Sequence, residues 1–316
     1  MAEATEHKLT FFEKKQSACP VCAAKFFRED LLSGGGRLIA GDLTMELRRH
    51  YDPSKKYGEV RPLVYPVTVC PVCFFATFPQ DFGGPSEARK KKAEVNADER
   101  RESISAIFPE LDFTAPRTLR EGIASYYFAI MCYDFFEKRA NPTYKAGLAS
   151  LRAAWLLSDL HTQEPDESWD TLALMFYRKA NFYYRQAIER ESAGQEPFDA
   201  NLAFGPDLDK NYGYYGVIYL AAYLDYKYGH TAEPQKRAAA LQYDRRMMAK
   251  IFGAGKSSKN RPAAILDNAK DVYEQMGAEL EKLQPGGVHG KDAESDAEQD
   301  AEPATEPLNG SGAPDD

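Results

Sequence analysis

No apolar run in the 316-residue sequence approaches the roughly 20 residues a helix needs to cross a bilayer. The first residues, Met-Ala-Glu-Ala-Thr-Glu-His-Lys, also lack the basic-then-apolar order of a secretory leader, so a cytoplasmic protein is expected. Cysteine is scarce, with five residues, four of them in two tight pairs. That distribution suits a metal site in a reducing compartment rather than a disulfide framework. Histidine is equally scarce, its five residues scattered with no catalytic cluster. A nucleophile elbow, a His-Glu-x-x-His pair and a dinucleotide fingerprint are all missing, so nothing argues positively for an enzyme. Gly253-Ala254-Gly255-Lys256-Ser257 imitates a phosphate loop, but Lys250 stands where its first glycine is required, and the segment follows a helix instead of a strand.

An excess of positive charge is lacking too. The formal net charge is −8, and residues 284–316 hold nine of the 48 acidic and one of the 40 basic residues, which leaves 39 of each sign in the remainder. A neutral body gives weak support to nucleic-acid binding, which relies on a positive field to displace counterions. Lys90-Lys91-Lys92 is surrounded by acids and reads as the solvated face of a helix over residues 86–107, opened by Ser86 as a cap.

Against these absences stand two identical motifs, Cys19-Pro20-Val21-Cys22 and Cys70-Pro71-Val72-Cys73, separated by 47 residues. A two-residue spacer lets one tight turn present two sulfurs about a tetrahedral edge apart, and two such turns complete a tetrahedron. Cys19, Cys22, Cys70 and Cys73 are therefore the expected ligands of one structural zinc ion. Iron bound in rubredoxin style, a redox pair or no metal are the alternatives. A redox pair would sit at a helix start after a strand, a context neither motif has. Four thiolates also close the shell that a catalytic zinc leaves open. His50 lies between the motifs as a substitute ligand or, more ordinarily, a solvent-facing residue. Cys132, alone in an apolar segment, reads as core.

Residues 9–82 form a small, loop-rich, zinc-ribbon-like module with short strands near Leu9, Phe11 and Phe12, at Arg37-Leu38-Ile39-Ala40, and over residues 63–69. So little apolar surface needs a metal to hold it. From residue 86 to 283 the chain is mainly helical. Trp169, Leu172, Ala173, Phe176, Ala180, Tyr183, Tyr184 and Ala187 follow helical spacing throughout. Further stripes are Leu119, Ile123, Tyr126, Ile130, Tyr133; Tyr144, Leu148, Leu151, Trp155; Tyr215, Ile218, Tyr219, Ala222, Tyr226; Ala240, Tyr243, Met247, Ile251; and Ile265, Ala269, Val272, Met276, Leu280, Leu283. Their starts recur at roughly 25 residues, which suggests stacked, tetratricopeptide-like hairpins, with a compact bundle as the alternative. Residues 284–316 are acidic, poor in apolar side chains and expected to be disordered.

Abundant tyrosine serves either inter-helix packing or a recognition surface. Arg178, Arg185, Tyr212 and Tyr215 are the expected members of such a surface.

The paired Cys-Pro-Val-Cys motifs, followed by Leu151-Arg152-Ala153-Ala154-Trp155-Leu156, Val217-Ile218-Tyr219-Leu220 and a terminal helical hairpin, resemble a bacterial family known as a domain of unknown function, over residues 9–282. In that family paired cysteine knuckles precede tetratricopeptide-like helices. The resemblance implies a fold and a metal and supplies no activity. Some members carry glycine after each cysteine pair, where Ala23 and Phe74 stand here. The functional expectation is a noncatalytic, zinc-stabilised interaction or scaffold protein with a protein partner. Nucleic-acid binding by the zinc module, through Arg37, Arg48, Arg49, Lys55, Lys56 and Arg61, is the alternative, and a thiol redox protein a further one.

Overall fold

Turn residues cut the first 82 positions into strands too short to form one sheet, and the computed structural model, which describes residues 8–199, 202–203, 205–208, 210–253 and 263–284, resolves them as antiparallel ribbons. β1 (Thr10–Phe12) pairs with β4 (Glu29–Leu31), enclosing the hairpin of β2 (Ser17–Ala18) and β3 (Lys25–Phe26). β5 (Ile39–Leu43) pairs with β6 (Arg49–Asp52), and β7 (Thr68–Val69) with β8 (Ala76–Thr77). The strand expected over residues 63–69 is shorter than its sequence suggested. Pro62 opens a 3-10 turn through Val64, and only Thr68–Val69 is extended. A proline lacks the donor that a ladder needs.

The rest is helical: α1 (Glu87–Val95), α2 (Ala97–Ser105), α3 (Leu119–Tyr133), α4 (Pro142–Gln163), α5 (Trp169–Ser192), α6 (Gly213–Tyr228), α7 (Pro234–Gly253) and α8 (Ala263–Leu283). The protein is mainly helical, with its cysteine cluster near the N-terminus. The single charged helix expected over residues 86–107 is broken at Asn96 into α1 and α2. Thr118 and Glu121 form a capping box that starts α3. α4 starts at Pro142 after Asn141, whose φ of 50° is left-handed. Its free N-terminal amides are met from afar: Glu196 Oε1 accepts from Thr143 N at 2.9 Å. Residues 254–257 of the phosphate-loop imitation and residues 285–316 of the acidic tail lie outside the described residues.

From α3 to α8 each helix packs on the next, and α6 also touches α8. The stripes expected on α3 and α8 are buried as spaced, Ile265, Ala269, Val272, Met276 and Leu280 among them. α4 departs from the one-stripe expectation: it is buried on nearly every side, Lys145 and Arg152 included, because α3, α5, the 3-10 turn Pro62–Val64 and the tip of the β5–β6 ribbon pack on it. α7 is rotated from the expected Ala240, Tyr243 and Met247 face. It buries Arg237, Ala238, Leu241, Asp244, Met248 and Ile251. The reason is a set of polar contacts. Arg237 reaches Glu279 of α8 at 2.7 Å and the Asp225 carbonyl of α6 at 2.9 Å, while Asp244 pairs with Arg185 of α5. One cluster of buried side chains runs from Cys19 to Leu280.

Candidate metal centre

The two cysteine motifs fold into the same hairpin twice. β2–β3 pairs Ser17 with Phe26 and Ala18 with Lys25; β7–β8 pairs Thr68 with Thr77 and Val69 with Ala76. Within the first turn, Ala23 N donates to Cys19 O at 3.0 Å and Cys19 N to Ala24 O at 2.9 Å. Within the second, Phe74 N donates to Cys70 O at 3.0 Å and Cys70 N to Phe75 O at 2.9 Å. The residue after each pair turns left-handed, with φ of 59° at Ala23 and 55° at Phe74. Glycine would adopt this region freely, whereas a side chain costs about 1–2 kcal/mol there. Both hairpins accept that strain and reach the knuckle geometry without glycine. Phe74 is held by stacking on Phe128 at 4.8 Å and an edge contact with Phe113 at 5.9 Å.

The knuckles face each other and bring all four sulfurs within 4.8 Å of one another. Cys19 Sγ lies 3.6 Å from Cys73 Sγ, and Cys22 Sγ 3.6 Å from Cys70 Sγ. Sulfurs about 2.3 Å from a tetrahedral ion stand roughly 3.8 Å apart, so the donor set fits a thiophilic metal ion. Val21 N points at Cys19 Sγ from 3.4 Å, the kind of amide contact that eases a thiolate's charge. Three of the sulfurs are buried and Cys22 is half-buried. With only protons to share, Cys19, Cys70 and Cys73 titrate apart. Hydrogen bonds from Cys19 and Cys73 pull Cys70 down, the bond to Cys70 pushes Cys19 up, and bonds to Cys19 and Cys70 push Cys73 up. A cation at the centre would let all four ionise together. His50 is exposed on β6 and is no part of the cluster.

The second knuckle is fastened to the helices. Arg100 of α2 donates from Nε and Nη2 to Cys73 O at 3.2 and 3.0 Å, and Arg101 donates to Val72 O at 3.0 Å. Tyr133 OH accepts from Phe78 N at 3.1 Å. Cys132 Sγ accepts from Ala76 N at 3.4 Å, and burial pushes its thiol up to about 11, so it is a neutral core group, as its apolar surroundings suggested.

The β5–β6 ribbon makes a contact that the sequence did not announce. Its tip folds around Thr44, whose Oγ1 accepts from Glu46 N and Arg48 N at 3.2 Å each, with Leu47 left-handed at φ 60° and 0% exposed. The tip is inserted among α4, α5 and α6. Trp155 Nε1 donates to Glu46 Oε2 at 2.5 Å, Tyr228 OH donates to Glu46 Oε1, and Tyr219 OH donates to Met45 O at 2.7 Å. Arg48 bonds Asp159 at 2.5 Å and the Trp155 carbonyl at 3.2 Å. The ring of Tyr228 stacks on Tyr177 at 4.0 Å. Much of the conspicuous tyrosine is thus bound within the chain. No period marks Glu46-Leu47-Arg48; the one local hint is Thr44 before them as a turn residue.

The four residues expected at a recognition surface divide. Arg178 is exposed, with Nε on the Tyr228 carbonyl at 2.8 Å. Arg185 is committed to Asp225 at 2.9 Å and to Asp244. Tyr212 is 1% exposed, which corrects its place at a surface: the ring packs at the start of α6. Tyr215 is half-buried against the core. Of the six candidate nucleic-acid cations, the four arginines are engaged within the chain, while Lys55 and Lys56 are exposed. Arg49 Nη1 bonds Gly41 O at 2.8 Å, Arg61 pairs with Glu59 at 2.6 Å, and Arg37 caps Gly34 O at 2.6 Å over the Tyr57 ring.

Residues 12–276 match a family described as "Uncharacterized protein conserved in bacteria (DUF2225)". A protein of Borreliella burgdorferi named "Uncharacterized protein" is 41% identical over 278 residues, covering 88% of this chain and 99% of the relative. No solved structure matches the chain.

Proposed function

The chain belongs to that bacterial family, and from this premise we propose that Cys19, Cys22, Cys70 and Cys73 hold one zinc ion in a closed, structural site. The protein is a noncatalytic interaction or scaffold protein of the cytoplasm, and its helices, stacked as tetratricopeptide-like hairpins, meet a protein partner. In this reading residues 9–82 are the metal module, 86–283 the helical region and 284–316 an acidic tail. The observation that carries it is the convergence of four sulfurs from two hairpins of identical register. Four thiolates occupy every tetrahedral position, which suits fastening rather than catalysis. Arg178 lies on α5 with exposed Met175 and Phe182, the helix face offered to the partner, and half-buried Tyr215 stands apart from it near the start of α6. The internal engagement of Arg37, Arg48, Arg49 and Arg61 favours a protein partner over nucleic acid.

Metal analysis of the purified full chain tests the first half: about one zinc per chain, lost in Cys70→Ser together with the order of the ribbons. A wild-type chain carrying iron or no metal refutes it. A pull-down with the full chain tests the second half. Recovery of RNA or DNA with a steep salt dependence, in place of a protein, would overturn it.

A further inference from the structure

Arginine is among the residues least often buried whole, and a buried guanidinium ordinarily faces a carboxylate. Arg100 does not. It is 0% exposed and, with Ile104, one of the two buried residues of α2. The acids of its own helix lie elsewhere: Asp98 pairs with Arg101 at 2.6 Å, Glu99 accepts from Asn96, and Glu102 is exposed. Two of its N–H groups fork onto the carbonyl of Cys73, and Nη1 has no acceptor among the described residues. Cys132, whose thiol the Arg100 charge influences, stays neutral and offers no counter-charge.

A whole positive charge in the core without an anion is costly, and a methionine would fill the same space without that cost. The neighbour able to supply negative charge is the cysteine cluster itself. A divalent ion with four thiolates carries a net charge of about −2, and an anion of that size, largely buried, needs compensation in turn. We propose that Arg100 is the counter-charge of the four-thiolate metal centre, a positioning residue that sets how tightly the metal is held through the carbonyl of Cys73. This rests on the metal reading above.

The two knuckles also become unequal in this light. Their backbones repeat bond for bond, but α2 brings Arg100 and Arg101 to the carbonyls of Cys73 and Val72 alone, and among the described residues no arginine meets the carbonyl of Cys22. The second knuckle is the compensated half of the centre, and the half-buried Cys22 belongs to the half without it.

The test is zinc affinity of the full chain, measured by competition with a chromophoric chelator, alongside the absorption of the cobalt(II) form. Arg100→Met is expected to weaken zinc binding about 10–100-fold, the usual effect of removing a group behind a ligand. Arg100→Lys keeps the charge without the fork and recovers most of the loss. Cobalt in both variants keeps the tetrahedral thiolate spectrum, since no ligand has changed. Unchanged affinity in Arg100→Met overturns the proposal, as does Arg100→Lys binding as weakly as Arg100→Met. Should Arg100→Met not fold, Arg100→Gln, which retains donors for the carbonyl and lacks the charge, must show the same weakening. A wild-type chain that binds neither zinc nor cobalt sinks the metal reading itself, so the two failures are distinct.

Discussion

Leu47 gives a prediction in which two effects of known sign oppose each other at one residue. Its side chain is fully buried at the ribbon tip, and its backbone stands at φ 60°, where glycine is favoured and leucine is strained. Leu47→Ala empties the pocket among α4, α5 and α6 without relieving the backbone, and a buried Leu→Ala change costs about 2–5 kcal/mol. Leu47→Gly empties the same pocket, removes one further carbon and relieves a left-handed conformation worth about 1–2 kcal/mol. The glycine variant should therefore be more stable than the alanine variant by about 1 kcal/mol, the reverse of their order within a helix. Urea unfolding followed by tryptophan fluorescence is a suitable assay, because Trp155 donates to Glu46 at the same tip. If glycine proves less stable than alanine, or if both variants lie within about 0.5 kcal/mol of the wild type, the tip is not docked as described.

Asp244 is 2% exposed, and burial, with Asp225 beside it, pushes its carboxyl up to about 9 despite Arg185. The folded chain keeps this proton where the unfolded chain releases it, so stability should fall as pH rises from about 4 towards 9, by at most about 1.4 kcal/mol per unit. Asp244→Asn should flatten that slope in pH-resolved urea titrations, and an unchanged slope would assign it to another group. Glu196, 1% exposed, meets the amide and hydroxyl of Thr143 and pairs with Arg190 at 3.2 Å. Glu196→Ala removes the cap of α4 and strands a partly buried cation, so a loss of about 2–4 kcal/mol is expected from calorimetry or urea unfolding. Of the five cysteines, none should react quickly with a thiol reagent in the metal-loaded native chain. All five should react after unfolding with chelator, and Cys132→Ala should leave the metal content unchanged. A fast-reacting thiol in the loaded chain would contradict a closed centre.

The cysteine pairs were legible because a two-residue spacer is a local geometric statement: it restricts where two sulfurs stand whatever surrounds them. The α8 stripe was legible for the same reason, since periodicity acts within a few residues. The face of α7 was not. Arg237 and Asp244 are polar by sequence and buried by partners on α5, α6 and α8 that lie outside any local window. The all-round burial of α4 likewise comes from neighbouring helices, and the insertion of the Leu47 tip and the inward turn of Tyr219 and Tyr228 come from contacts between segments more than a hundred residues apart.

The amino-acid sequence by itself determined the donor set, two equal turns carrying four sulfurs, and the helical class of the chain beyond the second cysteine motif, because both depend on short-range geometry and composition. Tertiary structure decided which charged residues are buried and against what. The clearest case is Arg100, which sequence reads as one more cation on a solvated helix and which the fold sets, without a carboxylate, on the carbonyl of Cys73. A charge is solvated or buried by its neighbours in space, and those neighbours are chosen only when the whole chain has folded.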